Sequence, residues 1–133
     1  MGSSPTRLDE VLAKRKILVV EDNYFIAEDV CDLLRDHGAE IVGPAANVEQ
    51  GLALAAEADG LDCAVLDLNL NGQSALQIAT MLAKRNVGFV FVTGYDKGGV
   101  PPELEDVPRI VKPFDGARLC RAVREQVQRA RHP

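Results

Sequence analysis

The chain has 133 residues, 47% hydrophobic and 26% charged, with a formal net charge of −5, which is the size and make-up of one globular domain around one core. The acidic balance excludes a general nucleic-acid or anionic-membrane surface, because either would need a basic stripe. No apolar run approaches the roughly 18 residues of a membrane span, and MGSSPTRLDE lacks the apolar centre of a signal peptide, so the expected compartment is the cytoplasm.

An N-terminal extension, residues 1–15, carries a weak helical pattern over TRLDEVLAKR (6–15). KILVV (16–20) is a short continuous apolar run, the mark of a strand covered on both faces. In the following NYFIAEDVCDLLRDHG, Ile26, Val30, Leu33 and Leu34 recur at helical spacing, and His37-Gly38 is a stop signal. Phe25 reads as a core residue and Tyr24 as a rim residue. His37 reads as a favourable charge at the helix C-terminus. AEIVG (39–43) is a second strand, and Asn47 caps a second helix over VEQGLALAAEA. DCAVLD (62–67) is a third strand and QSALQIATMLAKR (73–85) a third helix. VGFVFV (87–92) and PRIVK (108–112) supply the fourth and fifth strands. A last helix runs from Asp115 to about Arg129, with Leu119, Val123 and Val127 on one face. The end, residues 131–133, reads as a basic tail. Cys31, Cys63 and Cys120 are scattered without a CxxC spacing, which fits buried thiols in a reducing cytosol rather than a disulfide frame or a zinc site.

Strands alternating with helices predict an α/β fold: a doubly wound, five-stranded parallel sheet, order 2-1-3-4-5, covered by helices on both faces. One domain spans residues 16–130. The alternation breaks once, at GYDKGGVPPE (94–103), where a fourth helix is due. Gly98-Gly99 and Pro101-Pro102 cost about 1 and about 3 kcal/mol per residue inside a helix. At most PELED (102–106) can form a single turn, with Pro102 tolerated at its start. The fourth helix is therefore expected to be short or disordered.

Ligands of such sheets bind beyond the carboxyl ends of the strands, beside the switch point. Glu21 and Asp22 follow the first strand there. Asp67 ends the third strand, Thr93 the fourth and Lys112 the fifth. Taken singly, each has an ordinary reading: an acidic pair opening a helix, a β-forming threonine, a Lys-Pro turn. Their joint placement is what carries chemistry. Three crowded carboxylates need a counter-charge. A hard divalent cation such as Mg²⁺ supplies one, and Lys112 a second. One carboxylate can then act as nucleophile and accept a phosphoryl group as an acyl phosphate, with Thr93 and Lys112 placed to meet the phosphoryl oxygens.

Over Lys16 to Arg129 the chain resembles the receiver domain of two-component response regulators. The matching elements are ILVVEDN (17–23), LDLNLNG (66–72), VTGY (92–95) and KPF (112–114). The resemblance implies Asp67 as phosphoacceptor. It implies Mg²⁺ held by Asp22 and Asp67, assisted by Glu21 and by the backbone carbonyl of Asn69. Thr93 becomes the hydroxyl that follows the phosphoryl group and Lys112 its ion partner, with a cis Lys112–Pro113 bond. Asn69 and Tyr95 stand at positions that tune acyl-phosphate hydrolysis in the family. The implied donors are a histidine kinase or a phosphotransfer protein, docking near Asn23, Tyr24 and Phe114, and the implied output is contact with another protein. Such a domain catalyses its own phosphorylation and dephosphorylation and is a signalling module rather than an enzyme.

The chain also departs from that family. Receivers usually carry Tyr or Phe three residues before the lysine; here Arg109 stands there. An aromatic appears instead at Tyr95, and FVTGY resembles the Phe-Ala-Thr-Gly-Tyr receivers found with HWE-type kinases in alphaproteobacteria, Val92 replacing the alanine. This resemblance fits a stand-alone receiver, and the Gly- and Pro-rich stretch is expected to be its switch, phosphorylation drawing Thr93 inward, re-posing Tyr95 and ordering residues 96–107. Other readings fit less well. A haloacid-dehalogenase-like Mg²⁺ phosphatase wants a DxD after the first strand, whereas Asp67-Leu68-Asn69 follows the third. A flavodoxin-like cofactor binder wants a Gly- or Ser-rich phosphate loop where Glu21-Asp22 stand. A degenerate, phosphorylation-independent receiver conflicts with the intact acidic set, although the missing switch aromatic favours it. The chain is expected to be a monomer, since the usual dimer face is altered.

Overall fold

The computed structural model describes residues 10–94 and 100–131. Seven strands and four α-helices follow one another: β1 (Lys16–Val20), α1 (Tyr24–Asp36), β2 (Glu40–Ala45), α2 (Val48–Glu57), β3 (Leu61–Asp67), β4 (Asn69–Leu70), β5 (Gln73–Ser74), α3 (Leu76–Lys84), β6 (Gly88–Thr93), β7 (Arg109–Val111) and α4 (Gly116–Arg131). The main sheet is parallel with order β2-β1-β3-β6-β7, which is the expected 2-1-3-4-5 once the two-residue strands β4 and β5 are set aside. These two pair antiparallel as a separate hairpin.

Side chains alternate across a strand, and here both faces are buried. Ile17 and Val19 of β1 join Cys63 and Val65 of β3 and Val90 and Val92 of β6 on one face, beneath α1 and α4. Leu18, Val20, Ala64, Leu66, Phe89 and Phe91 form the other, beneath α2 and α3. This double coverage is why the strands read as unbroken apolar runs rather than as alternating ones. All three cysteines are free and buried, and burial pushes the Cys63 thiol up to about 12.

The helix ends follow the cap residues. Asn23 Oδ1 accepts from Phe25 N at 3.0 Å and Ile26 N at 3.1 Å, and Asn47 Oδ1 accepts from Gln50 N at 2.8 Å. Gly38, with φ +90°, turns the chain after α1. In β2 the register against β1 skips, Leu18 facing Val42 and Val20 facing Ala45. Gly43 sits in this bulge at φ +101°, and a Cβ there would lie 2.9 Å from Ala45 N and 3.0 Å from Val19 O.

Four expectations change. Helix α3 starts at Leu76 rather than residue 73, because Gln73 and Ser74 are taken by the hairpin. Phe25 is not in the core; it is 74% exposed, beside Tyr24 at 67%, because helical spacing turns the buried face of α1 through Ala27, Val30, Cys31 and Leu34. Of the expected helix over 6–15, residues 10–14 form turns, and Leu12 is anchored in the core; residues 6–9 lie outside the described ones. The last helix continues to Arg131. In place of a fourth crossover helix, the described residues give a 3₁₀ turn, Pro102–Leu104. Gly98 and Gly99 lie outside them.

Candidate functional site

Four strand ends and one hairpin build the site. Glu21 continues β1, its N–H donating to Ala45 O at 2.9 Å across the bulged strand. Glu21 Oε2 accepts from Asn23 N at 3.0 Å, so the cap residue of α1 also orients this carboxylate. Asp67 closes β3 and Thr93 closes β6. Glu21, Asp67 and Thr93 are the buried polar residues among those described. Lys112 follows β7, its N–H held by Thr93 O at 2.8 Å, and the Lys112–Pro113 peptide is cis.

Lys112 Nζ lies 3.0 Å from Glu21 Oε1 and 3.0 Å from Asp67 Oδ2. A single ammonium at the sheet edge thus reaches over β6 to the ends of β3 and β1. Carboxylate oxygens of Glu21, Asp22 and Asp67 all lie within 4.8 Å of one another, giving three acidic groups to one cation. Burial, followed by the neighbouring Asp67, raises Glu21 from 4.5 to about 7, against the opposing pull of the Asn23 amide and Lys112. Burial works against the Lys112 charge, but its hydrogen bonds to Asp67 and Glu21 outweigh that and leave its pKa raised.

Above this cluster opens a pocket of about 530 Å³ whose wall includes Asp22, Asp67, Asn69, Asn71, Thr93 and Lys112. Asn69 N donates to Asp67 Oδ1 at 3.0 Å, and Asn69 Oδ1 accepts from Gly72 N at 2.7 Å. Asn71 N donates to Asp22 Oδ2 at 3.0 Å. The hairpin over this site was missed in the sequence, yet its signal is there. Asn71-Gly72, at φ +53° and +87°, is the Asn-Gly pair that favours a two-residue hairpin turn.

The other expected residues fall in different surroundings. Arg109 sits on the edge strand β7 opposite Phe91, half-buried. Phe114 packs partly buried against the core beneath α1 and α4. His37 ends α1, its N–H bonded to Leu34 O, and its Nδ1 has no partner among the described residues. Tyr95 lies outside the described residues.

A doubly wound parallel sheet with a carboxylate and lysine centre at the carboxyl ends of β1, β3 and β7 is the architecture of receiver-type signalling domains. The response regulator receiver domain family matches residues 17–124, and the chain belongs to that family. It is similar to SdrG from Sphingomonas melonis Fr1, whose solution structure is 33% identical with a TM-score of 0.75, over 86% of this chain and 97% of that one. A receiver protein from Sinorhizobium medicae WSM419 shares the fold at TM-score 0.76 and 21% identity, over 88% and 97% of the two chains. Nodulation protein W of Bradyrhizobium diazoefficiens is 31% identical over 92% of this chain and 55% of its own length. The transcriptional regulatory protein PdtaR of Mycobacterium tuberculosis is 26% identical over 97% and 64%. The chain spans less than two-thirds of these curated relatives. Among the described residues, no helix is long and apolar enough to cross a membrane.

Proposed function

We propose that Asp67 accepts a phosphoryl group from a histidine kinase or a phosphotransfer protein, and that the resulting acyl phosphate switches contact with a downstream protein. The observation that carries this reading is the bridging of Glu21 and Asp67 by Lys112 Nζ at 3.0 Å from each, on the floor of a pocket open to solvent. In the transfer, an Asp67 carboxylate oxygen forms a bond to phosphorus as the P–N bond of the donor's phosphohistidine breaks. The electron pair leaves on the imidazole nitrogen. The negative charge of Asp67 passes to the phosphoryl oxygens, where Lys112 and the Thr93 hydroxyl meet it.

The donor set fits Mg²⁺: hard carboxylate oxygens, clustered and short of positive charge. Asp22 and Asp67 would hold it, with the Asn69 carbonyl and, more remotely, Glu21. When bound, it supplies positive charge that offsets the repulsion between the carboxylates and the incoming phosphoryl oxygens. The exposed Tyr24–Phe25 pair, ring centroids 5.6 Å apart, directly follows the acidic residues and Asn23, which makes it a suitable platform for the protein donor. The switch extends from Thr93 to residue 107.

The test is intact-mass measurement after incubation with acetyl phosphate and Mg²⁺. One phosphoryl adduct is expected, absent in Asp67→Asn and absent without metal. If Asp67→Asn still gains the adduct, the assignment of Asp67 falls. If neither acetyl phosphate nor a beryllofluoride mimic alters the amide spectrum of the parent, the phosphorylation switch falls.

A further inference from the structure

We infer that the β4–β5 hairpin is a positioning element for the acidic centre, with Asn71 and Gly72 setting the pose of Asp22; this rests on the proposed Mg²⁺ site. Two hydrogen bonds tie the hairpin to the site, and a third closes its own turn. Asn71 N donates to Asp22 Oδ2 and Asn69 N to Asp67 Oδ1, while Gly72 N donates to Asn69 Oδ1 within the hairpin. The first crosses from the loop after β3 to the residue after β1, so two carboxylates from different strands are aligned by one turn. The hairpin is itself fixed from below: Leu70 is 1% exposed within the core beneath α2 and α3, and Ala75 N donates to Leu68 O at 3.1 Å.

The pose depends on two consecutive left-handed residues. Asn tolerates that region and Gly is free in it, whereas Ala and β-branched residues are not. With its N–H aimed at Asp22, Asn71 holds one oxygen of that carboxylate, a group in the pocket wall. A turn that spends part of its time in another conformation presents Asp22 unpositioned, and the apparent affinity for a cation falls by the fraction lost.

At Gly72 the role of the backbone can be separated from that of bulk, because a Cβ there meets nothing within 4 Å. Gly72→Ala therefore perturbs the left-handed turn without a steric clash, while Gly72→Asn adds a larger side chain yet suits the same φ. The experiment titrates Mg²⁺ into the full chain and its variants, followed by amide NMR, with thermal unfolding measured in chelator. Gly72→Ala is expected to weaken Mg²⁺ binding about three- to tenfold, with its unfolding midpoint near that of the parent and Gly72→Asn close to parent affinity. Asn71→Val, β-branched at φ +53°, should weaken binding in the same way. Parent-like Mg²⁺ affinity in both Gly72→Ala and Asn71→Val would overturn the inference and leave the receiver reading standing. A parent that fails to bind Mg²⁺ would overturn both.

Discussion

Glu21 makes the metal-free protein sensitive to pH in a direction opposite to that of an ordinary salt-bridged carboxylate. In the unfolded chain it sheds its proton near 4.5, whereas in the folded protein it keeps the proton to about 7. Between these values the folded state binds more protons, so stability falls as pH rises through the window and is level on either side. The span is about 2.5 pH units at 1.36 kcal/mol each, a ceiling of about 3 kcal/mol. Coupling to Asp67 and Lys112 brings the expected loss to about 1–3 kcal/mol. The raised Lys112 pKa adds stability that is fully present below 10.5 and lost only above it, so it is constant between pH 5 and 8 and adds nothing to the change over that window. Glu21→Gln removes the titrating proton and keeps the shape. Urea unfolding in chelator, at pH 5 and at pH 8, should show the variant gaining on the parent by about that 1–3 kcal/mol at the higher pH. Equal pH dependence in the two proteins would refute the reasoning, and a parent that becomes more stable from pH 5 to 8 while the variant does not would reverse it.

Gly43→Ala is expected to destabilise by about 2 kcal/mol or more, because φ +101° and two backbone atoms at about 3 Å oppose its Cβ; chemical denaturation measures it. Asn47→Ala removes the acceptor for Gln50 N and should cost about 1 kcal/mol by the same method. Replacing both Tyr24 and Phe25 by Ser should move stability by less than about 0.5 kcal/mol, as both are exposed. The same pair of changes should slow transfer from a phosphorylated histidine phosphotransfer protein while leaving acetyl phosphate labelling unchanged. Equal slowing with both donors would remove the docking role.

The order of strands, the two-sided core and the meeting of Glu21, Asp22, Asp67 and Lys112 were legible because each is written locally. Apolar runs of five or six residues mark strands buried on both faces, and in this sheet the residues after them fall at the carboxyl edge. Two features were hidden for different reasons. Phe25 looks like core by type, but its place one residue ahead of the Ile26–Val30 stripe rotates it to solvent; phase along the helix, not hydrophobicity, decides it. The hairpin was hidden because Gln73 and Ser74 also continue a plausible helix, and an Asn-Gly pair marks a turn without saying whether the residues after it pair back or enter the helix. The exchange of one ammonium between Glu21 and Asp67 is a matter of side-chain reach across β6, which spacing does not encode.

Both margins of the sheet are poor templates for another strand. On the β2 side, Pro44 has no N–H to offer and the Gly43 bulge interrupts the ladder. On the β7 side, only Arg109, Ile110 and Val111 are extended, with Pro108 before them and the Lys112–Pro113 bond after. Short, kinked or proline-flanked rims deny an incoming chain the row of donors and acceptors it needs to add on. The same proline that follows the site lysine therefore also guards the domain against growing, strand by strand, into an aggregate.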